Sequence, residues 1–74
     1  MKQLIIRWTT THYEERKDDE TGDPYKFPII ESHVQSFLLE DVLIIDHKWS
    51  AIEVTLLDGE RVEIKGDNIA QFFR

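Results

Sequence analysis

The sequence predicts a mainly β domain, built as a small antiparallel sheet or an open, SH3-like barrel of about four to six strands with a short C-terminal helical turn. Two observations carry this prediction. Apolar and polar residues alternate along several short segments, as they do in strands that bury one face. Turn-forming residues, most clearly Asp58-Gly59, separate two of these segments. Because short turns join strands of opposite direction, the sheet is predicted to be antiparallel.

The first predicted strand runs from Lys2 to Thr9. Leu4, Ile6 and Trp8 share one face of this strand, since side chains alternate with a period of two. These three side chains are therefore expected to lie in the core.

The segment from Tyr25 to Leu39 has two interpretations. Read as strands, residues 25–30 and 34–39 would lead into the next strand through a turn at Glu40-Asp41. The alternative is an α+β domain with one helix at about 28–39, in which Ile30, Val34 and Leu38 recur at helical spacing. Both interpretations stay open at this point.

The run Val42-Leu43-Ile44-Ile45 is short and apolar, and Asp46 ends it, which is typical of a strand covered on both faces. Simple alternation puts four apolar residues on the face opposite to the expected core: Ile5, Leu43, Ile45 and Leu57. A sheet that is apolar on both faces has to close on itself, carry a helix, or meet another chain.

A β-hairpin is predicted around Asp58-Gly59, where Ala51 to Leu57 and Arg61 to Lys65 both alternate. A two-residue loop would set the inward Val54 opposite the outward Glu63. A loop of three residues, 57–59, instead pairs Val54 with Val62, and it needs Gly59 in the left-handed conformation. We therefore expect the longer loop. After Gly66, Asp67 or Asn68 is expected to cap a last helical turn carrying Ile69, Phe72 and Phe73.

The chain of 74 residues and 8.8 kDa is expected to form a single domain, residues 1–74. It contains no Cys, which excludes disulfides, thiolate metal sites and cysteine nucleophiles. A net charge of −6 argues against direct binding to nucleic acid. No apolar run reaches the ~18 residues of a membrane span, so no membrane partner and a cytoplasmic location are expected.

A polar, acidic arm or loop is predicted at about residues 9–26, where only Tyr13 and Tyr25 are apolar. Part of it is expected to extend two strands as a hairpin, because threonines and tyrosine favour strands. Long polar segments in small domains often carry function. The candidate partner-binding residues are the carboxylates of this segment and a tryptophan in a predicted loop: Glu14, Glu15, Asp18, Asp19, Glu20, Asp23 and Trp49.

No group of residues predicts catalysis or metal binding. His12, His33 and His47 are 21 and 14 residues apart, without the short spacing of a metal site. Asp46 and His47 precede Ser50, but neighbouring residues on a strand point to opposite faces, so Asp46 could not orient the imidazole. The sequence therefore predicts a protein without enzymatic activity, cofactor or metal.

The leading functional hypothesis is a small, non-enzymatic protein-interaction or regulatory module, such as a bacterial or phage accessory protein. Its partner is expected to be another protein, with a homodimer as one alternative. A second hypothesis is an inhibitor that imitates nucleic acid with its acidic surface and blocks a nucleic-acid enzyme. A third is a single-strand nucleic-acid binder that uses Trp49 and the tyrosines.

Overall fold

A computed structural model describes residues 2–74 and shows a mainly β protein, with 75% of the residues in strands. The only helical element of the described chain is a 3-10 turn at Leu39–Asp41. The six strands are β1 (Gln3–Lys17), β2 (Pro24–Leu38), β3 (Val42–Lys48), β4 (Ala51–Leu56), β5 (Arg61–Lys65) and β6 (Asp67–Phe73). The predicted fold class is confirmed.

The strands form two antiparallel sheets of three strands, in the orders β2-β1-β6 and β3-β4-β5. No ladder joins the two sheets within residues 2–74, so the strands form antiparallel sheets that are not closed into a barrel. The chain changes sheets at two corners. The 3-10 turn leads from β2 into β3, and Gly66 leads from β5 to β6 on the edge of β1.

The core lies between the two sheets. Its buried members come from β1, β4 and β5: Leu4, Ile6, Ile52, Val54 and Ile64. Each large apolar side chain removed from water contributes roughly 1.5–3 kcal/mol. The alternation predicted for the first strand and for the hairpin is confirmed, because alternate residues of these strands are buried.

The β4–β5 hairpin has the predicted three-residue loop. Val54 pairs with Val62 and Ile52 with Ile64. Beyond these pairs, the Leu56 N–H donates to the Glu60 carbonyl at 2.8 Å, which closes the loop. Gly59 adopts a φ of 89°, a left-handed conformation that glycine accepts without steric cost.

Replacing Gly59 by valine is expected to lower the free energy of unfolding by about 1–3 kcal/mol, because a β-branched residue is strained at positive φ. An added Cβ would meet no atom within 4 Å, so the loss of stability would come from backbone strain and not from a steric clash at Cβ. Urea unfolding of Gly59→Val against Glu60→Val, an exposed neighbour outside the left-handed position, measures it. Equal stabilities for the two variants would contradict the left-handed assignment.

The alternative helix at about 28–39 is wrong, because β2 pairs with β1 without interruption from Gln3↔Leu38 to Lys17↔Pro24. The helical spacing of Ile30, Val34 and Leu38 is also a multiple of two, so it equally places the three on one face of a strand. The ladder pairs the fifteen residues of β2 with β1 along one edge, in place of the local hydrogen bonds that a helix would have made.

The predicted C-terminal helical turn is also wrong, because residues 67–73 form β6 along the edge of β1. Asn68 does not cap a helix. It adopts a φ of 53° where the register shifts between Arg7 and Thr9. This irregularity lets Ile69 pack against the core cluster. Without β6, the inner part of β1 would keep one row of unpaired backbone groups.

A β-bulge in β3 reverses the predicted facing of its apolar run. Val42 pairs with Leu56 and Ile44 with Thr55, so one extra residue lies on the β3 side. After the bulge, Ile45 packs against the core cluster and Ile44 is 55% exposed. The expectation that Ile45 lies on the face opposite to the core is therefore wrong.

The side of the β3-β4-β5 sheet that faces away from the core carries a small charge network. Glu53 and Glu63 are direct cross-strand neighbours, an unfavourable arrangement for like charges. Lys48 Nζ lies 3.3 Å from Glu53 Oε2 and 3.7 Å from Glu63 Oε2, and Lys65 Nζ lies 3.1 Å from Glu63 Oε1. The hydrogen bond from Lys65 lowers the pKa of Glu63 below its ordinary value.

This lowered pKa predicts a small acid-dependent loss of stability. The network contributes above the ordinary glutamate pKa of 4.5 and is lost as the pH falls through the lower pKa of folded Glu63. Urea unfolding of wild type and Glu63→Gln should show wild type more stable at pH 7, and the difference should shrink as the pH falls below 4.5. A difference that is unchanged at pH 3 would contradict this account.

Candidate functional site

The most distinctive feature of the molecule is a two-stranded arm, residues 10–31. β1 and β2 stay paired to Lys17↔Pro24, whereas β6 accompanies β1 only as far as Thr9. The part of β1 beyond Thr9 extends the ribbon by about 26 Å, at roughly 3.3 Å per residue. The molecule measures 57 × 21 × 18 Å, and every residue from Thr11 to Pro28 is exposed. The arm therefore projects from the core.

The tip of the arm is an ordered polar turn, Asp18 to Asp23. The Asp18 N–H donates to the Asp23 carbonyl at 2.9 Å. The Asp18 carboxylate accepts hydrogen bonds from the N–H groups of Glu20 and Thr21, at 2.8 and 3.2 Å. Gly22 adopts a φ of 73°. The Asp18 side chain therefore holds the turn together.

The candidate carboxylates of the arm fall into two groups. Glu14 and Glu15 lie on β1, where Arg16 pairs with Glu14 at 3.1 Å and Glu15 lies opposite Lys26. Asp19, Glu20 and Asp23 lie in the turn, and within residues 2–74 no ion pair involves them. The uncompensated negative charge is thus concentrated at the far end of the arm.

Trp49 lies elsewhere, in the two-residue turn between β3 and β4. It is 96% exposed, and the following Ser50 adopts a φ of 56°. The Ser50 carbonyl accepts a hydrogen bond from Gly66, which lies against Thr9 at the base of the arm. Since the arm extends away from this base, the structure does not bring Trp49 and the acidic turn together.

One face of the arm continues the outer surface of the β2-β1-β6 sheet, and we call this continuous surface the outer face. Odd-numbered residues of β1 and their β2 partners form it, with Phe72 beside Ile5. Its most exposed apolar side chains are Tyr13 (65%), Val34 (64%), Ile30 (68%) and Phe72 (47%). The outer face is therefore an apolar stripe that nothing within residues 2–74 covers.

The opposite face of the arm begins at the core. The Trp8 ring, which packs against the core cluster, stacks on His33 with 5.3 Å between ring centroids. His33 Nε2 lies 2.7 Å from Thr10 Oγ1. Farther out, the Arg16 guanidinium lies 3.8 Å from the Phe27 ring centroid. These contacts tie the base of the arm to the core and stiffen its outer part.

The outer face was missed by the sequence reasoning, which selected charged residues of the arm. Ile30 and Val34 lie on β2 outside the acidic segment, and they join Tyr13 only through the β1–β2 pairing. Their spacing of four residues was the available signal, because residues at that spacing share one face of a strand.

The three histidines lie apart. His12 approaches Glu31 at 3.9 Å in the arm, whereas His47 Nε2 and Gln71 Oε1 are hydrogen-bonded at 2.8 Å beside the core. Asp46 lies opposite Glu53, on the other side of β3 from His47. Within residues 2–74 no three potential ligands are grouped for a metal ion, and no helix could cross a membrane.

Comparisons of the chain with protein-family models, with curated proteins and with solved structures found no significant match.

Proposed function

We propose that the protein is a small, non-enzymatic protein-interaction module and that the arm is its binding element. A single observation carries the proposal. The arm is only two strands wide, and it exposes large apolar side chains on both faces. Tyr13 and Ile30 lie on the outer face, and Phe27 and Tyr25 lie on the opposite face. An isolated hairpin is marginally stable in water. A partner that covers the apolar stripe would stabilise the arm.

The composition of the outer face supports this function. Tyr13, Ile30 and Val34 are large exposed apolar side chains of this face, and burying Ile30 or Val34 would contribute roughly 1.5–3 kcal/mol. Thr9, Thr11 and Ser32 lie among them with polar groups. Protein–protein interfaces combine apolar anchors with hydrogen-bonding groups in this way.

The acidic turn supports a second candidate, an inhibitor that imitates nucleic acid. The favourable observation is that the carboxylates of Asp19, Glu20 and Asp23 lie together at the end of a projecting arm. The two candidates differ in their response to salt. Binding through the turn should weaken steeply as salt is raised, whereas binding through the apolar stripe should persist.

Affinity capture from native lysate tests the proposed function with three baits: wild type, Ile30→Ser and Ile44→Ser. Ile44 is a matched control, because it is 55% exposed on the other sheet. Wild type and Ile44→Ser should enrich the same protein, either another protein or the untagged chain itself, and Ile30→Ser should lose it. Identical captures by all three baits would contradict the proposal. A repeat in about 0.5 M salt, where screening acts within about 4–5 Å, separates the stripe from the turn.

A further inference from the structure

We infer that a second copy of this chain covers the outer face, with the two copies packed face to face and antiparallel about a two-fold axis near the Thr9↔Ser32 pair. The inference rests on the proposed function and names the partner. Three observations carry it: the positions of the apolar side chains, the cleft at the core end of the face, and the small residues at its middle.

The apolar positions of the outer face are self-complementary. Val34 lies two residue pairs from Ser32 toward the core, and Ile30 lies two residue pairs from Ser32 toward the tip. We consider a two-fold axis that lies in the plane between the two packed sheets and runs perpendicular to the strands. This axis places each Val34 over Ile30 of the other copy. The same rotation places Tyr13 over the second copy's Ile5, because both are four residues from Thr9 on β1.

A receptor for Tyr13 already exists at the core end of the face. Ile5, Arg7 and Phe72 line an open cleft of about 300 Å³ with Phe73 and Arg74. The Arg7 guanidinium lies 5.6 Å from the Phe72 ring centroid, which holds both side chains at the edge of the cleft. An aromatic side chain that enters such a cleft would contact apolar surface and a cation.

Charged side chains at the two ends of the outer face allow one attractive contact when the copies are antiparallel. Arg7 and Arg74 lie at the core end. Glu15 lies toward the tip with its cross-strand partner Lys26 and with Lys17. The rotation brings Glu15 over Gln3 of the second copy, and Arg74 is the neighbour that shares two backbone hydrogen bonds with Gln3. A two-fold axis forms each of these contacts twice.

The middle of the face allows the sheets to approach. Thr9 and Ser32, at the axis, carry short side chains. Sheets that pack face to face lie about 10 Å apart. Larger side chains at the axis would keep the two sheets apart, and Val34 of each copy would then not reach Ile30 of the other.

Pairing through the free edge of β1 is the competing arrangement of two copies, and it would not cover the outer face. Beyond Thr9, β6 no longer accompanies this edge. A two-fold axis at the middle of the free segment, residues 10–17, would set Tyr13 opposite Glu14 of the second copy. The two sheets would then lie side by side, and the apolar stripe would stay exposed.

Sedimentation equilibrium between about 1 μM and about 1 mM, the range of intermediate affinities, tests the inference with purified protein. Wild type and Ile44→Lys should change from monomer to dimer, and Ile30→Lys should associate at least ten-fold more weakly while keeping a wild-type circular dichroism spectrum. A monomeric wild type, or an Ile30→Lys variant that dimerises like wild type, overturns the inference. Arm-dependent capture of another protein by a monomeric wild type would leave the proposed function standing.

Cross-linking tests the position of the axis. Since the chain has no Cys, one introduced Cys per chain can be cross-linked only to the same Cys of the second copy. The yield of cross-linked dimer then reports the distance between these two residues. Ser32→Cys, at the axis, should give a covalent dimer with a short bifunctional maleimide. Ser36→Cys lies on the same strand and face, but about 26 Å from its counterpart, since eight residue pairs would separate them at ~3.3 Å each. Equal cross-linking of the two variants overturns the antiparallel arrangement.

Discussion

Gly66→Ala is expected to lower the free energy of unfolding by about 3 kcal/mol, a large loss for a domain of this size. An ideal Cβ at Gly66 would lie 2.6 Å from the Thr9 carbonyl oxygen and 2.6 Å from Trp8 Cδ1. The oxygen belongs to the backbone of β1, and the indole packs against the core, so neither group can move without cost. Overpacking of this kind typically costs about 1–3 kcal/mol, occasionally more.

Gly22→Ala is the matched control for this experiment. Gly22 also has a special conformation, with a φ of 73°, but a Cβ there would meet no atom within 4 Å. Its substitution should strain only the turn of the arm and leave the core transition nearly unchanged. Urea unfolding followed by tryptophan fluorescence measures both variants. Equal stability of Gly66→Ala and wild type would show that the corner between β5 and β6 has room for a Cβ atom, contrary to this prediction.

Ile45→Glu is expected to destabilise the domain by about 2–4 kcal/mol, whereas Ile44→Glu should change stability by less than about 0.5 kcal/mol. Ile45 packs against the core cluster and lies opposite Val54, which is fully buried. A carboxylate there would lose apolar contacts and find no partner. Ile44 points to solvent, where a carboxylate stays hydrated.

The comparison of the two variants tests the bulge of β3. Leu57→Glu provides a further control, because Leu57 is 62% exposed in the loop of the β4–β5 hairpin and should tolerate the charge. Thermal unfolding by circular dichroism ranks the three proteins. If Ile44→Glu were the more destabilising variant, β3 would have regular alternation and the bulge assignment would be wrong.

The parts of the fold that were predicted correctly depend on local patterns. The alternation around Leu4 and Ile6 required only the period of a strand. The β4–β5 register followed from parity, since only a three-residue loop sets Val54 opposite Val62. In both places, the residues that decide which face is buried and which turn forms lie within a few positions of one another along the chain.

The parts that were predicted wrongly depend on distant residues. The extra residue at Leu43 leaves no mark in a run of four apolar residues, because every position in it suits either face. β6 forms because β1 offers an edge, and no local feature of residues 67–73 reveals that edge. In short segments, tertiary pairing of this kind outweighs local propensity.

The candidate site divides in the same way. The acidic segment could be recognised by composition alone. The apolar stripe could not, because Tyr13 and Ile30 become neighbours only when β1 and β2 pair, with sixteen residues between them along the chain. A surface assembled from two strands becomes visible once the register is known.

The central claim is that the arm is a contact surface that a second copy covers, and amide hydrogen exchange at two protein concentrations tests it most directly. In dilute solution the amides of Thr10 to Lys17 should exchange far faster than those of Ile52 and Val54, because the arm opens locally without unfolding the core. At high concentration the arm amides alone should slow, since association suppresses that opening. Arm exchange that is independent of concentration would contradict the claim.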